Sequence, residues 1–341
     1  MGRSEREDIM NNKEKAVGRR MPDTHIMTIL GLMVLVIIMM LIFQPGNYFT
    51  LMNLRSMIYQ FPEYGILSLG MMACMIAGGI DLSLVGIMNF TGVLAALIVK
   101  NMVTEEGGMA APAIILAVIV ALAVGGLCGA FNVFIIGYFN IPAMLVTLCG
   151  LQLYKGLAYG ITGGPAINGM CDPFKEIANG SIAGIPYALF IFIVVVLIVS
   201  FVMKSTVFGN EIYFLGSNAQ AAKYSGINTL KVTVMTHMFS GILGGCSGIL
   251  ITSHLNSAKS SNGETYTLLS LLIVVLGGVH PDGGKGRVMG VVLATILLQM
   301  IANALGLMHI DDNTKTFING CMLVAALLLD VYLDKRAAKR A

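Results

Sequence analysis

Charge is what this sequence has least of. Only 11% of its 341 residues are Asp, Glu, Lys or Arg, whereas 56% are hydrophobic. Soluble domains carry roughly 25% charged residues, so a water-soluble protein of this length would lack the polar groups needed to cover its surface. The composition therefore indicates a protein most of whose mass lies in a lipid bilayer.

Several other features are missing. Tryptophan is absent, so an aromatic belt at the membrane surface has to be built from Tyr and Phe. The six cysteines form no CxxC pair, which argues against a zinc or disulfide framework. No HExxH motif, nucleophile–base pairing or pair of carboxylates stands out. We therefore predict no catalytic residue, no metal site and no enzymatic activity in this chain.

Apolar runs are abundant. A helix needs about 20 apolar residues to cross the roughly 30 Å hydrocarbon core. The candidate runs lie near 26–43, 64–80, 84–99, 110–136, 141–162, 185–203, 232–253, 266–279, 288–305 and 316–333. The run at 266–279 is short, which leaves open a broken or re-entrant helix. We predict an all-α integral membrane protein with about ten transmembrane helices.

Lys and Arg indicate the orientation, because cytoplasmic loops carry an excess of them. With the N-terminus inside and alternating spans, most of the 21 basic residues fall on cytoplasmic segments. The outer segments hold only Arg55, Lys100, Lys175, Lys259 and Lys315. This bias predicts cytoplasmic termini, with an N-terminal tail over 1–24, one transmembrane domain over 25–334 containing a cytoplasmic loop at 204–231, and a basic tail over 335–341.

Two ionisable side chains are the main exceptions within the spans, Lys155 and His237. A charge at the bilayer centre costs roughly 2.5–3.5 kcal/mol. We therefore expect Lys155 to reach the outer interface past Tyr154, and His237 to be structural. An ion-coupled carrier needs a relay of Asp, Glu and His, and the spans offer none. This scarcity favours transport that is powered by a partner protein, or a neutral solute.

Apolar residues recur at helical spacing over 51–61, between the first two runs. This pattern predicts a short amphipathic helix at the outer interface, capped by Thr50 and ended by Pro62.

Elsewhere, small residues four apart predict close helix packing, as in the pairs Gly125/Gly129, Gly241/Gly245 and Gly244/Gly248.

The motif Gly78-Gly79-Ile80-Asp81-Leu82-Ser83 separates the second and third runs. Two glycines end one helix, and Asp81 or Ser83 is suited to cap the next. The alternative is a polar turn along a pathway for hydroxyl-bearing solutes, together with Asn89 and Thr91 on the following helix. Both interpretations stay open, and these four residues are the candidate substrate-pathway residues. The segment 277–280 is faintly similar to 78–81, a likeness that we attribute to chance.

The long loop at 204–231 contains a second motif. Ser217 or Asn218 is suited to cap a short helix over 219–224, and Gly226 fits the C′ position that ends it. The pattern is compatible with a solvated interfacial helix and equally with a helix that docks in a cleft of another protein.

The later glycine-rich stretch, which ends at Gly286, does not match the phosphate-binding loop of nucleotide-binding proteins, because Gly286 stands where Ser or Thr would bind Mg²⁺.

Together, these motifs resemble those of the ribose-type ABC transporter permeases, within the superfamily of branched-chain amino acid and ribose permeases. The matching segments are Gly78 to Ser83, Phe208-Gly209-Asn210 with 216–228, and 277–286. Their order and spacing resemble the family over roughly residues 26–333. The chain departs from the family at Leu84-Val85, where Val-Gly is usual, and at Thr267 and Leu269, where acidic residues are common.

The resemblance implies a permease subunit of an ATP-binding cassette importer for a small sugar or polyol in the bacterial cytoplasmic membrane. The implied partners are ATPase subunits that bind ATP and Mg, an extracytoplasmic solute-binding protein, a second permease chain and membrane lipid, but no nucleic acid. The implied ATPase-coupling residues are Gly216, Ser217, Asn218, Ala221, Ala222, Ser225 and Gly226.

Three matters remain open. The solute is a pentose, hexose, polyol, nucleoside or a sugar-derived signal such as autoinducer-2, and the permease pair is a homodimer or a heterodimer. The alternative function is an ion-coupled secondary carrier or channel for a small neutral solute. A membrane enzyme is the third class, and it lacks a catalytic cluster in the sequence.

Overall fold

The computed structural model describes residues 24–44, 46–103 and 108–338. Most of the predicted N-terminal tail (1–24) and the last three residues of the predicted basic tail (335–341) lie outside this description. The helices are α1 (Thr24–Phe43), α2 (Leu51–Ile76), α3 (Leu84–Met102), α4 (Ala110–Phe139), α5 (Ala143–Thr162), α6 (Asp172–Asn179), α7 (Tyr187–Ser205), α8 (Val207–Ser217), α9 (Ala219–Tyr224), α10 (Thr229–Leu255), α11 (Tyr266–Leu276), α12 (Val288–Leu307) and α13 (Asp312–Ala338).

The fold is that of an all-α membrane protein, as predicted. Each predicted apolar run coincides with a helix, and 7 helices of the described chain are long and apolar enough to cross a membrane. These are α1, α3, α4, α5, α7, α10 and α12. The helix α11 has only 11 residues, which at about 1.5 Å per residue is roughly half the hydrocarbon thickness. The predicted shortness of this run is therefore confirmed.

Short strands add two small pairings to the helices. The strands are β1 (Ile167–Asn168), β2 (Ser181–Ile182), β3 (Ile185–Pro186) and β4 (Ser257–Ala258), with β1 antiparallel to β4 and β2 antiparallel to β3. The first pairing holds the segment between α10 and α11 against the loop after α5. Ser260, two residues after β4, is consequently buried.

The predicted end of the amphipathic helix at Pro62 is wrong. Thr50 does cap the helix, since its side chain accepts a hydrogen bond from the Asn53 backbone, but the helix continues through Pro62 to Ile76. Proline removes one backbone hydrogen bond, and a membrane helix tolerates this where neighbouring helices surround it. Here Phe61 packs edge-on against Phe192 of α7, with ring centroids 5.3 Å apart. The amphipathic segment and the second run are thus one helix.

The helix α10 lies at the centre of the fold, and glycines bring it close to two neighbours. A Cβ on Gly241 would lie 2.1 Å from the carbonyl oxygen of Gly125 in α4, and a Cβ on Gly248 would lie 2.4 Å from that of Met88 in α3. Both distances are too short for any side chain. The close packing predicted from the small-residue pairs is therefore confirmed.

Candidate functional site

A buried carboxylate organises the turn between α2 and α3. Asp81 Oδ1 accepts hydrogen bonds from the backbone N–H and the hydroxyl of Ser83, at 3.1 and 2.6 Å. Its Oδ2 accepts one from the Ser240 hydroxyl of α10 at 3.0 Å. All three side chains are fully buried. Ser83 occupies the predicted N-cap position, but its hydroxyl makes no capping bond, because it is engaged by Asp81. These donors offset the cost of burying the carboxylate.

The same network fastens the turn to α4 and α5. Asn132 of α4 donates its amide N–H to the Ser83 hydroxyl at 2.7 Å, and the Tyr154 hydroxyl of α5 donates to Asn132 Oδ1 at 2.9 Å. Thr147 of α5 donates to the Ile80 carbonyl at 2.9 Å. The turn is therefore bonded to three surrounding helices. Sequence reasoning missed Asn132 and Ser240, because single polar residues in long apolar helices gave no sign of a common partner.

The other two predicted pathway residues, Asn89 and Thr91, belong to different surroundings. Asn89 donates to the Ser260 carbonyl at 2.9 Å, and its Oδ1 is buried without a partner among the described residues. The Thr91 hydroxyl bonds to the Ile87 carbonyl of its own helix. The structure thus brings Asp81 and Ser83 together and leaves Asn89 and Thr91 outside their network. All four are buried.

The segment with the predicted coupling residues forms α8 and α9. Asn218 caps α9, accepting the Ala221 N–H at 2.9 Å, which decides between the two predicted caps. Gly226 has a φ of +84° and lies two residues after the helix end, as expected of C′. On α9, Ala222 is buried whereas Ala221, Ser225 and Tyr224 are exposed. Five of the six residues of this helix are therefore exposed, the small Ala219 and Ala221 together with the larger Gln220, Lys223 and Tyr224, and the helix is anchored to the fold through Ala222.

Three motifs that are far apart in sequence come into contact at the C-terminal end of α8. A Cβ on Gly216 would lie 1.8 Å from the Ile76 carbonyl oxygen and 2.5 Å from the Gly284 nitrogen. The Gly284 N–H donates to that same carbonyl at 2.8 Å. A Cβ on Gly283 would lie 2.9 Å from Gly78 Cα. We call the four residues Gly78, Gly216, Gly283 and Gly284 the glycine junction. It joins the end of α2, the end of α8 and the turn before α12, backbone against backbone.

A second buried polar network involves residues that the sequence analysis missed. Glu63 of α2 is 2% exposed, and its Oε1 is hydrogen-bonded to Nδ1 of His254 at the end of α10. Its Oε2 also accepts a hydrogen bond from the Tyr266 hydroxyl at 3.2 Å. The sequence predicts a helix end at Pro62 and an apolar run from residue 64, so Glu63 belongs to neither predicted element. The available signal was a Glu directly before a long apolar run, a position at the edge of a predicted membrane-spanning segment.

Lys155 and His237, the main ionisable residues within the predicted spans, each contact one polar partner. Lys155 forms an ion pair with Glu264, with 38% of its side chain exposed, which agrees with a position near an interface. His237 is 1% exposed, and its Nδ1–H donates to the Thr233 carbonyl of the preceding helical turn at 3.0 Å. Its Nε2 has no hydrogen-bond partner among the described residues.

Comparison with known proteins adds independent findings. Residues 53–327 match the family model described as branched-chain amino acid transport system / permease component. The chain is 32% identical to the ribose import permease protein RbsC of Haemophilus influenzae, covering 85% of this chain and 88% of that protein. It is 28% identical to the L-arabinose permease AraH of Escherichia coli (88% and 88%), and 29% identical to the galactose/methyl galactoside permease MglC of that organism (87% and 91%). No solved structure matches.

Proposed function

This chain belongs to the family of branched-chain amino acid transport system permease components, and on that premise we propose that it is the permease subunit of an ATP-binding cassette importer. Its solute is a small sugar or polyol, and its location is the bacterial cytoplasmic membrane, which it crosses several times. The names of similar permeases refer to ribose, arabinose and galactose. The chain is a transport subunit and not an enzyme, so ATP and Mg bind to separate ATPase subunits.

Ten membrane crossings with cytoplasmic termini account best for the helices. Seven of these crossings are the long apolar helices. The other three are α2, α13 and the short α11 together with its preceding loop. The excess of Lys and Arg on the inner side supports this orientation. It puts α8, α9 and the glycine junction at the cytoplasmic face, and the Glu63 network towards the outer face.

The observation that carries the proposal is the glycine junction. It lies directly beside α9, whose exposed small residues suit a docking site for an ATPase subunit. A force applied to α9 passes through α8 to Gly216, and from there to the carbonyl end of α2 at Ile76. The α2–α3 turn with Asp81 follows five residues later. Backbone contacts without intervening side chains transmit such a displacement with little slack.

In this proposal the candidate pathway residues Asp81 and Ser83 contact the solute during part of the transport cycle. Asp81 and Ser83 are fully buried, so a solute reaches them only when the turn separates from α4 and α10 during the transport cycle. Alternating access supplies such a movement. A second permease chain, alike or different, would complete the pathway, and an extracytoplasmic binding protein would deliver the solute.

The contact between the buried Glu63 and the partly exposed His254 is the one observation that favours the alternative of an ion-coupled carrier, because carboxylate–histidine pairs serve as proton relays. Purification of the tagged permease from native membranes in mild detergent separates the two functions. We expect an ATPase subunit to be recovered with the permease. Solute uptake by the isolated permease in liposomes, without any ATPase, would establish the carrier instead.

A further inference from the structure

An open pocket lies between the N-terminal half of α2, the end of α6 and the end of α10. Its volume is about 710 Å³, within the range of roughly 300–1,000 Å³ of small-molecule sites. Its polar lining consists of Arg55, Ser56, Tyr59, Gln60, Asn179 and His254. We call it the α2–α10 pocket. In the proposed orientation it opens towards the outer face of the membrane.

Hydrogen bonds already hold the polar wall of this pocket in place. Gln60 donates to the Ser56 hydroxyl at 3.1 Å, and its carbonyl accepts from Gln299 of α12 at 3.2 Å. Asn179 donates to the carbonyls of Ser253 and His254, at 3.0 and 3.2 Å. These bonds fix side chains that would otherwise lose conformational freedom when a ligand binds.

A hydrogen bond to Glu63 fixes the orientation of His254, the histidine of the pocket. Glu63, which is 2% exposed, engages His254 Nδ1 and is itself held by Tyr266. The imidazole therefore turns its Nδ1 towards the protein interior, and its Nε2 is the ring nitrogen that remains for the pocket. His254 is partly exposed there, with 24% of its side chain accessible. A buried carboxylate behind a histidine is a device that fixes ring orientation.

We propose that the α2–α10 pocket binds a neutral, polyhydroxylated solute of monosaccharide size on its way into the membrane. This inference rests on the proposed function and names a first contact of the solute with the permease, on the outer side of the Asp81 turn. A sugar hydroxyl both donates and accepts hydrogen bonds, and Gln60, Asn179 and His254 offer both kinds of group. The ring of Tyr59 offers a flat apolar surface to the face of a sugar ring. Among the described residues that line the pocket, Arg55 carries the one permanent charge.

The lack of tryptophan in this chain makes a direct test possible. The variant Tyr59→Trp places the chain's single tryptophan in the wall of the pocket, where it can be excited selectively over tyrosine, and Tyr138→Trp, at an exposed position near the end of α4, is the matched control. Purified permease is titrated with ribose, arabinose and galactose in turn. We expect a saturable fluorescence change with at least one sugar at position 59 and none at position 138.

A second substitution assigns the response to the pocket. Adding His254→Gln to Tyr59→Trp removes the oriented imidazole, and we expect the apparent affinity to fall about fivefold, the effect of one hydrogen bond. Ser56→Trp is a second reporter on an exposed position of the same wall, which keeps the test valid if Tyr59→Trp does not fold.

Two failures are distinguishable. If the wild-type importer takes up one of the three sugars with ATP but neither reporter responds to it, the pocket assignment is overturned and the function stands. A response of equal size at position 138 overturns it in the same way. If the complete importer takes up none of these sugars and no other small sugar or polyol, the proposed function itself is contradicted.

Discussion

The sharpest prediction concerns Gly216 in the glycine junction. In Gly216→Ala, the new Cβ meets backbone atoms on two sides, 1.8 Å from the Ile76 oxygen and 2.5 Å from the Gly284 nitrogen. Real Cβ contacts are essentially never shorter than 3.0 Å, so the end of α2 has to move by about 1.2 Å relative to α8. No side-chain rotation relieves this clash, because both opposing atoms belong to the main chain.

The cost follows from two contributions. Overpacking of a close contact destabilises by about 1–3 kcal/mol, and loss of the hydrogen bond from Gly284 to Ile76 adds about 0.5–1.5 kcal/mol. If the junction carries the coupling, the displacement also disturbs a coupling free energy that is typically about 1–3 kcal/mol, or about 5–150-fold. We therefore expect transport to fall about tenfold or more.

The assay is ATP hydrolysis and solute uptake by the reconstituted importer, each measured with and without the binding protein. We expect Gly216→Ala to keep basal hydrolysis while losing both uptake and stimulation by the binding protein. Gly156→Ala and Gly160→Ala on α5 are matched controls, because a Cβ at either position meets nothing within 4 Å. Both controls should behave like wild type.

A Gly216→Ala importer with wild-type uptake and wild-type thermal stability would refute this reasoning, because the close approach would then be absent or without consequence. Loss of assembly alone would be recognised by size-exclusion chromatography. In that case Gly78→Ala gives the second measurement, since its Cβ has space, at 3.7 Å, but its φ of +88° is strained for alanine.

Three further predictions concern single side chains. Ala221→Glu, on the exposed face of α9, should abolish recovery of the ATPase in a pull-down while membrane insertion is unchanged; full recovery would exclude α9 as the docking helix. Ser83→Ala removes hydrogen bonds to Asp81 and from Asn132 and should destabilise by about 1–3 kcal/mol, seen as a lower melting temperature in detergent; an unchanged melting temperature would contradict the network. Lys155→Gln should change stability by less than about 1 kcal/mol, because both side chains of its ion pair are more than one-third exposed and solvent screens the pair; a larger loss would show that the pair is desolvated.

Local features of the fold were predictable from the sequence because their causes are local. The caps at Thr50 and Asn218, and the helix end before Gly226, depend on residues within a few positions. Close packing of α10 followed from the spacing of its glycines. The family resemblance was carried by three motifs, each recognisable on its own stretch of chain.

What could not be predicted depends on contacts between distant segments. Helix α2 continues through Pro62 because surrounding helices hold it, and this error hid Glu63 within a supposed loop. The likeness between 78–81 and 277–280, attributed to chance, has a structural basis: Gly78 and Gly278 both follow a helix end with φ near the left-handed region, at +88° and +79°. The pairing of Gly216 with Ile76 and Gly284 joins residues separated by most of the chain, and no local pattern specifies it.

The central claim is that this permease moves a sugar with energy supplied by another subunit. The most direct measurement is uptake of radiolabelled ribose, arabinose and galactose into proteoliposomes that hold the complete importer and enclose ATP, with binding protein outside. We expect uptake of at least one sugar that stops when ATP is replaced by a non-hydrolysable analogue and persists when a proton ionophore is added. Uptake that survives without hydrolysis and collapses with the ionophore would contradict the account.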